Sequence, residues 1–493
     1  MLYLSAQPDT TYFIWQLEIQ LRNLLSLGVL KENIQVLIAY NQDLELNPDY
    51  QRFIDENKHL AQFYIYPDLR ERPKYISSVR PNILKQHFMR FPELSEMTIM
   101  YHDSDILFSR IPKIEDVEKN DICYVSDTRN YLDINYIRAT GNEDLLDEML
   151  SIVGLSKEKL IQENEQTGGA QYILKGITTD FWEKVEEDSE NLYVAMRNYN
   201  RKLWEKEYPE KRDYRSKKRG IQAWCADMWA VLWNLWLENK PVEIHLEMEF
   251  SWPYSAREDW NRLAIQHYSG NIEDKAKFFK KTEYLNYTPW YDTDLDIIPN
   301  TSCSYEIVKL IKARRMELDS ERPAFPNKMI LLKGETNDDK NKKLFTLYRN
   351  YITKYLDIKV MYLNGHNNTS TIIYKDPISM DKMNTLSPNC VFLIIPIDVL
   401  IPIEDIEKLL QQESDQAFKL NNAFVSDTLF AEAFSKMLDI QLLTENKSKF
   451  NESECSRCIE LVDNNTFTNG VLKDQDTYTN IVELSVNNCF ILN

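Results

Sequence analysis

The chain opens on a short apolar run, Leu2 to Ala6, and continues from Tyr12 to Leu27 with apolar residues at helical spacing, a strand-then-helix start. Runs rich in β-branched and aromatic residues recur at Asn33–Tyr40, Phe63–Tyr66, Met97–Tyr101 and Ile122–Val125, separated by polar, helix-compatible stretches. Alternation of this kind predicts a mainly parallel sheet. The runs ending at Tyr101 and Val125 stop abruptly in polar clusters, and in open α/β sheets ligands bind just beyond such strand ends.

Residues 291–327 interrupt the pattern with mixed, polar sequence carrying Pro299, Pro323 and Pro326, and they predict a linker. A new α/β pattern follows, with strands at Met329–Leu332, Ile358–Leu363 and Val391–Ile395 and a helix over Lys340–Tyr355. The expectation is a first domain over 1–290 and a smaller α/β domain over 328–493, in keeping with 493 residues being more than one core usually supports. An apolar fraction of 43% with only 11 glycines supplies material for cores and little for flexible connections. No sequence repeat is visible, although Ile397-Asp398-Val399 after an apolar run faintly echoes the Asp-containing strand end near residue 103.

Charge narrows the class of partner. The 58 Lys and Arg against 77 Asp and Glu leave −19, which opposes attraction to nucleic acid or to anionic membrane surfaces. The basic cluster Arg201–Arg219 is interleaved with acids and reads first as a solvated face, with contact to an anionic acceptor as the alternative. No basic start followed by an apolar run marks a secretory signal, and no stretch of about 18 uncharged apolar residues marks a membrane span, so a cytoplasmic location is expected. Seven scattered cysteines fit reduced thiols, and Cys455 with Cys458 form a lone CxxC that chance spacing explains.

Candidate chemistry centres on His102-Asp103-Ser104-Asp105 directly after the run Met97–Tyr101. Two carboxylates two residues apart at a strand end can share one divalent cation, Mn²⁺ or Mg²⁺, whose remaining positions substrate phosphates commonly fill. Asp-x-Asp also occurs in ordinary surface turns, and placement after a buried strand is what favours the metal. A phosphatase of the haloacid dehalogenase type puts Asp-x-Asp in a similar place, but there a small residue and Thr or Val usually follow, whereas here Ile106-Leu107-Phe108 does.

At these residues the sequence resembles the A-type-fold glycosyltransferases, in which Asp-x-Asp holds a metal beneath the diphosphate of a nucleotide sugar. The segment Thr167-Gly168-Gly169-Ala170-Gln171-Tyr172 resembles the glycine loop that approaches the donor sugar, though Gly-Gly is also an ordinary turn. Trp224-Cys225-Ala226-Asp227 resembles an acid-bearing helix start near the acceptor, and Asp227 is the single charge in a long apolar stretch, where burial without a partner would be costly. Trp229, Trp233 and Trp236 at helical spacing read as core, with Trp224 the better candidate for stacking on a sugar. Gln266-His267-Tyr268-Ser269-Gly270 with Lys275 resembles the His-x-x-Gly-plus-Lys ending of glycogenin-like transferases, and the order of segments is similar in hydroxyproline arabinosyltransferases and peptidyl-serine galactosyltransferases.

The resemblance covers about residues 1–280 and implies a UDP-sugar donor, a metal held by Asp103, Asp105 and His267, and nucleotide contacts from Ala6, Gln7, Arg80, Lys85, Ser104, Gly169 and Lys275. Asp227 and Gln171 become the candidate catalytic residues. Asp227 would serve as base if the anomeric centre inverts; if it is retained, the departing phosphate takes the proton and either residue steadies the sugar, and the glycogenin-like ending leans towards retention. Ser126-Asp127 could touch donor or acceptor, or Asp127 could cap a turn. The implied acceptor is a glycan, a lipid-linked glycan or a protein. The second domain could be a degenerate transferase copy, an acceptor-binding unit or an assembly surface. A catalytically silent nucleotide-sugar binder remains the alternative from outside the enzymes.

Overall fold

The computed structural model describes residues 1–207, 220–285, 288–334, 339–366, 369–373, 391–397, 399–401, 403–411, 416–420, 423–426, 451–453, 458–463, 481–484 and 489–492. Two compact units emerge: residues 1–289 with 293–312, and residues 290–292 with 313–493. The expected linker at 291–327 is instead largely structured. It contains the helix Ser304–Glu321, and Ser302 to Ser304 are buried in the first unit, where Gln266 Nε2 donates to the Cys303 carbonyl at 2.9 Å and Ser304 Oγ accepts from the Phe279 amide at 2.8 Å.

Ten strands build the first unit: β1 Leu2–Pro8, β2 Ile34–Asn41, β3 Gln62–Asp68, β4 Ile99–Tyr101, β5 Ile106–Phe108, β6 Cys123–Asp127, β7 Gly168–Leu174, β8 Val242–Ile244, β9 Phe250–Ser251 and β10 Ile265–His267. Seven of them form one sheet in the order β3-β2-β1-β4-β7-β6-β8, parallel except where β7 runs antiparallel to both neighbours. The expected mainly parallel α/β arrangement is therefore present. Strand β1 is buried along almost its whole length because helices cover both faces, which is why it reads as a continuous apolar run.

Each face of the sheet has its own core. On one, Ile83, Leu84 and Phe88 of the helix Val79–Arg90 pack with Trp182, Trp229 and Trp233 against Leu2, Leu4 and Val125. On the other, Leu17, Leu21 and Leu24 of the helix Thr11–Ser26 meet Ile38, Met100, Ile106 and Phe108. The tryptophans of the helix Ala226–Leu237 are core, as their spacing predicts: Trp229, Trp233 and Trp236 are no more than 1% exposed. Trp224, one turn earlier, is 63% exposed.

The second unit contains β11 Ala324–Gly334, β12 Asp357–His366, β13 Thr369–Ile373, β14 Val391–Pro396, β15 Val399–Leu400, β16 Gln416–Leu420, β17 Ala423–Ser426, β18 Asn451–Ser453, β19 Cys458–Asp463, β20 Ile481–Leu484 and β21 Cys489–Leu492. Its main sheet runs β13-β12-β11-β14-β19-β16-β20, with β19 antiparallel to both neighbours. Asp398, Cys455 and most of the basic cluster, residues 208–219, lie outside the described residues. No helix among the described residues is long and apolar enough to cross a membrane.

Burial separates the tryptophans energetically. Trp233→Ala empties a fully enclosed site and is expected to cost about 3–5 kcal/mol in urea unfolding, whereas Trp224→Ala is expected to stay within about 0.5 kcal/mol of the parent. Equal losses for the two would contradict this division.

Candidate functional site

Strand β4 is only three residues long, and the turn His102–Asp105 follows it before β5 turns away into a separate three-stranded sheet, β5-β10-β9. The turn is held from below by a row of polar side chains on the buried face of the helix Thr11–Ser26. Gln20 Nε2 donates to the carbonyls of Asp103 at 2.7 Å and Ile106 at 3.2 Å, Ser104 Oγ donates to Gln16 Oε1 at 3.2 Å, and Asn23 exchanges both of its amide bonds with the backbone of Phe108. These side chains satisfy backbone groups that leave the ladder where β4 stops, groups that would otherwise cost about 1–3 kcal/mol each when buried. Sequence reasoning passed over Gln16, Gln20 and Asn23; their one signal is three polar residues in register on a helix face that is otherwise core.

His102 belongs to this support. It is buried, its Nδ1 lies 3.0 Å from the Asp103 carbonyl, and burial pushes its pKa down to about 4, so the ring is neutral.

Strand pairing brings the third metal-capable residue in. β10 runs antiparallel to β5 with His267 opposite Ile106, which sets His267 Nε2 3.2 Å from Asp105 Oδ1. Ligand atoms of Asp103, Asp105 and His267 all lie within 4.8 Å of one another, a grouping that suits one divalent ion. The His267 ring stacks on Trp252, with centroids 5.6 Å apart, and its Nδ1 is buried without a hydrogen-bond partner.

Cations surround these acids. Lys281 pairs with Asp105 Oδ2, and Arg80 spans Asp103 and Asp227. Burial alone would raise the Asp105 carboxyl, but Lys281 and His267 overcome it and hold the group well below the usual carboxylate range. Burial acts to lower Arg80 and Lys281, and the neighbouring carboxylates, Asp227 and Asp103 for the first and Asp105 for the second, raise both instead. Asp227 has both oxygens engaged: Oδ2 accepts from Arg80 at 2.5 Å, and Oδ1 lies 2.6 Å from the Tyr75 hydroxyl, which also approaches the Trp224 carbonyl.

The three aspartates, His267, Arg80 and Lys281 line one cavity of about 690 Å³, within the range of small-molecule sites. Ala6, Gln7, Arg80, Asp103, Ser104, Asp105, Asp227 and His267 are among its lining residues. Trp224, Tyr131 and Met228 line it as well.

Four expected contacts are placed elsewhere. Gln171 is fully buried, with Oε1 accepting from Ser126 Oγ at 2.9 Å; Ala170 and Tyr172 face the cavity, and strand alternation turns the residue between them away. Gly169 sits behind the wall, where a Cβ would come within 2.8 Å of the Tyr172 hydroxyl and 2.9 Å of Met228 Cε. Lys85 pairs with Glu186 at 2.9 Å, and Lys275 is exposed and pairs with Glu283 at 3.3 Å. The lysine in the cavity is Lys281, which sequence reasoning missed because the segment after Gly270 contains four lysines and only the fold selects among them. Asp127 pairs with Arg129 at 2.7 Å on the surface.

No family model matches the chain, and no curated protein does. Solved structures with a similar course include the WbbM bifunctional glycosyltransferase (8% identity, 63% of this chain and 51% of that one, TM-score 0.34), the galactosyltransferase LgtC in complex with donor and acceptor sugar analogues (10%, 64% and 96%, 0.31) and mouse xyloside xylosyltransferase 1 (10%, 55% and 97%, 0.28). This chain thus spans about half the length of WbbM. Likeness at this level concerns the path of the backbone, and the chemistry is read from the side chains above.

A neutral His102 fixes a sign. Its folded pKa lies below the ordinary histidine value, so the unfolded chain binds the extra proton first and stability falls as pH drops from about 6.5 towards 4. Chemical denaturation across that window is expected to show a shallower fall for His102→Gln than for the parent, by up to roughly 3 kcal/mol at the acid end. Parallel curves would place the titration elsewhere.

Proposed function

We propose that the first unit is an A-type-fold glycosyltransferase that moves a sugar from a nucleotide diphosphate, with UDP as the expected carrier, to an acceptor hydroxyl with the help of Mn²⁺ or Mg²⁺. The observation that carries this reading is the convergence of Asp103, Asp105 and His267 at a strand end, inside a cavity that also receives Arg80 and Lys281. Asp103, Asp105 and His267 would hold the ion, and the chemistry it supplies when bound is neutralisation of charge on the departing diphosphate.

Charge counting supports dependence on the ion. Leaving the imidazole aside, the cavity lining carries three carboxylates, Asp103, Asp105 and Asp227, against two cations, Arg80 and Lys281. A net negative site repels a diphosphate; a divalent cation reverses the sign. With Asp103 and Asp105 holding the ion, Lys281 and the part of the Arg80 guanidinium that pairs with Asp103 would be available to phosphate oxygens.

Asp227 fits a positioning role better than that of a base. Each of its oxygens already has a partner, a guanidinium on one and a phenol beside the other, and the first of these ties it to Arg80. This favours retention of configuration, in which the departing phosphate takes the acceptor proton. The acceptor is assigned to the side of the cavity lined by Trp224, Tyr131 and Met228, next to Asp227; a glycan, a lipid-linked glycan and a protein are all compatible with that surface. Nothing here depends on a nucleic acid, and the net charge of −19 disfavours one.

A silent nucleotide-sugar binder is the second reading, favoured by the ion pairs that already satisfy both metal carboxylates. A panel of UDP- and GDP-sugars incubated with Mn²⁺ separates the two. Metal-dependent release of one nucleotide, lost in Asp105→Ala, supports the transferase; tight metal-dependent binding without release, with or without acceptors, establishes the silent binder. Hydrolysis of a generic phosphate ester without a nucleotide would point to a phosphatase using Asp103.

Two further outcomes are expected. Mn²⁺ should tighten UDP binding by at least about tenfold, or about 1.4 kcal/mol, in titration calorimetry. Lys281→Ala should weaken metal-dependent nucleotide affinity by roughly tenfold to a hundredfold, corresponding to about 1.5–3 kcal/mol for a charge-assisted bond, while Lys275→Ala leaves it unchanged. The reverse ranking would return the diphosphate contact to Lys275.

A further inference from the structure

The two units repeat one strand plan. In the first, the central strand β1 lies between β2 and β4 and is parallel to both, and beyond β4 come β7, antiparallel, then β6 and β8. In the second, β11 lies between β12 and β14, parallel to both, and beyond β14 come β19, antiparallel, then β16 and β20, which pair in parallel as β6 and β8 do. Two differences stand out: β13 is antiparallel to β12 whereas β3 is parallel to β2, and in the minor sheet β17, which pairs with β21 as β9 pairs with β10, precedes β19 and β20 in the chain whereas β9 follows β7 and β8, with β18 added beside β17.

The correspondence extends to the minor sheet. β5, which follows β4 in sequence, pairs antiparallel with β10, and β10 pairs in parallel with β9. β15, which follows β14, pairs antiparallel with β21, and β21 pairs in parallel with β17. Thus β14, β15 and β21 occupy the places of β4, β5 and β10.

Register identifies the residue at the position of His267, and what lies between the strands is read from the sequence. Between β4 and β5 the chain reads His102-Asp103-Ser104-Asp105; between β14 and β15 it reads only Ile397-Asp398. His267 is paired with Ile106, the first residue of β5; the residue paired with Val399, the first of β15, is Ile491. Two carboxylates and an imidazole have become one carboxylate and an aliphatic residue. An isoleucine offers no lone pair, and a single carboxylate does not make a site for a divalent ion with a diphosphate. The glycine pair that opens β7 also has no counterpart, since β19 opens on Cys458-Ile459-Glu460.

We infer that residues 313–493 repeat the first unit's strand plan but lack, among the described residues at the equivalent strand positions, the side chains that would hold a metal there, and that the chain therefore binds one metal–nucleotide pair, in its first unit. The inference rests on the transferase reading for what the first site binds, and on strand register alone for what the second does not.

Counting sites in the full chain tests it. Equilibrium dialysis of labelled UDP with saturating Mn²⁺ is expected to give one equivalent per chain for the wild type and none for Asp105→Ala, with circular dichroism confirming that the variant is folded. Asp398→Ala is expected to keep one equivalent at unchanged affinity. Two equivalents in the wild type, one equivalent surviving in Asp105→Ala, or weakened binding in Asp398→Ala would each overturn the inference. No binding to the wild type at all would instead sink the transferase reading of the first unit while agreeing with a second unit that holds no metal.

Discussion

Everything at the site depends on placing two carboxylates, Asp103 and the buried Asp105, beside a third, Asp227, in one partly enclosed cavity. Their mutual repulsion and desolvation would be prohibitive if uncompensated. Arg80 and Lys281 supply the compensation, and they come from distant parts of the chain, one from the helix before β4 and the other from beyond β10. The fold around the turn can be understood as the means of delivering those two charges. The helix Val79–Arg90 is pinned to the sheet by Ile83, Leu84 and Phe88, and the chain beyond β10 packs Phe279 and Tyr284 around Trp15.

The same arrangement explains why the carboxylates are available to a ligand. Ion pairs inside a cavity are exchangeable in a way that ion pairs inside a core are not, because an incoming cation and anion can take over both partners at once. An ion between the aspartates and a diphosphate on the freed arginine and lysine would leave each buried charge with a partner before and after binding. That matching of states is the physical reason a buried acidic turn can be stable without its ligand and receptive to it.

Most of the architecture was visible in the chain because β1, β2, β4 and β6 are buried on both faces and therefore written as uninterrupted apolar runs. The turn at Asp103 and Asp105 was visible for the same reason: it breaks such a run. His267 could be picked out only by its likeness to a known ending, since nothing local marks it, and its proximity to Asp105 arises from the pairing of β10 with β5. The choice between Lys275 and Lys281, the facing of Gln171 and the partners of Asp227 were hidden because each depends on side-chain direction, which a difference of one residue in a strand or a few in a loop reverses. The repeated strand plan left only a faint trace, the echo of the Asp-containing strand end at Ile397-Asp398-Val399. Matching topology needs only apolar runs in the right order, and Val391–Pro396 shares no residue pattern with Ile99–Tyr101 beyond being apolar.

Trp15 illustrates a further consequence. Its indole Nε1 donates to the carbonyl of Tyr284 at 3.1 Å, and its ring is enclosed by Tyr268, Phe279 and Tyr284. The first helix of the chain is thus completed by a segment 269 residues further on. During synthesis at about 5–20 residues per second, that helix and the polar row beneath the acidic turn wait on the order of 13–54 s for their cover. Over that interval the nascent chain presents an unfinished apolar face, so the site is among the last parts of the first unit to be completed.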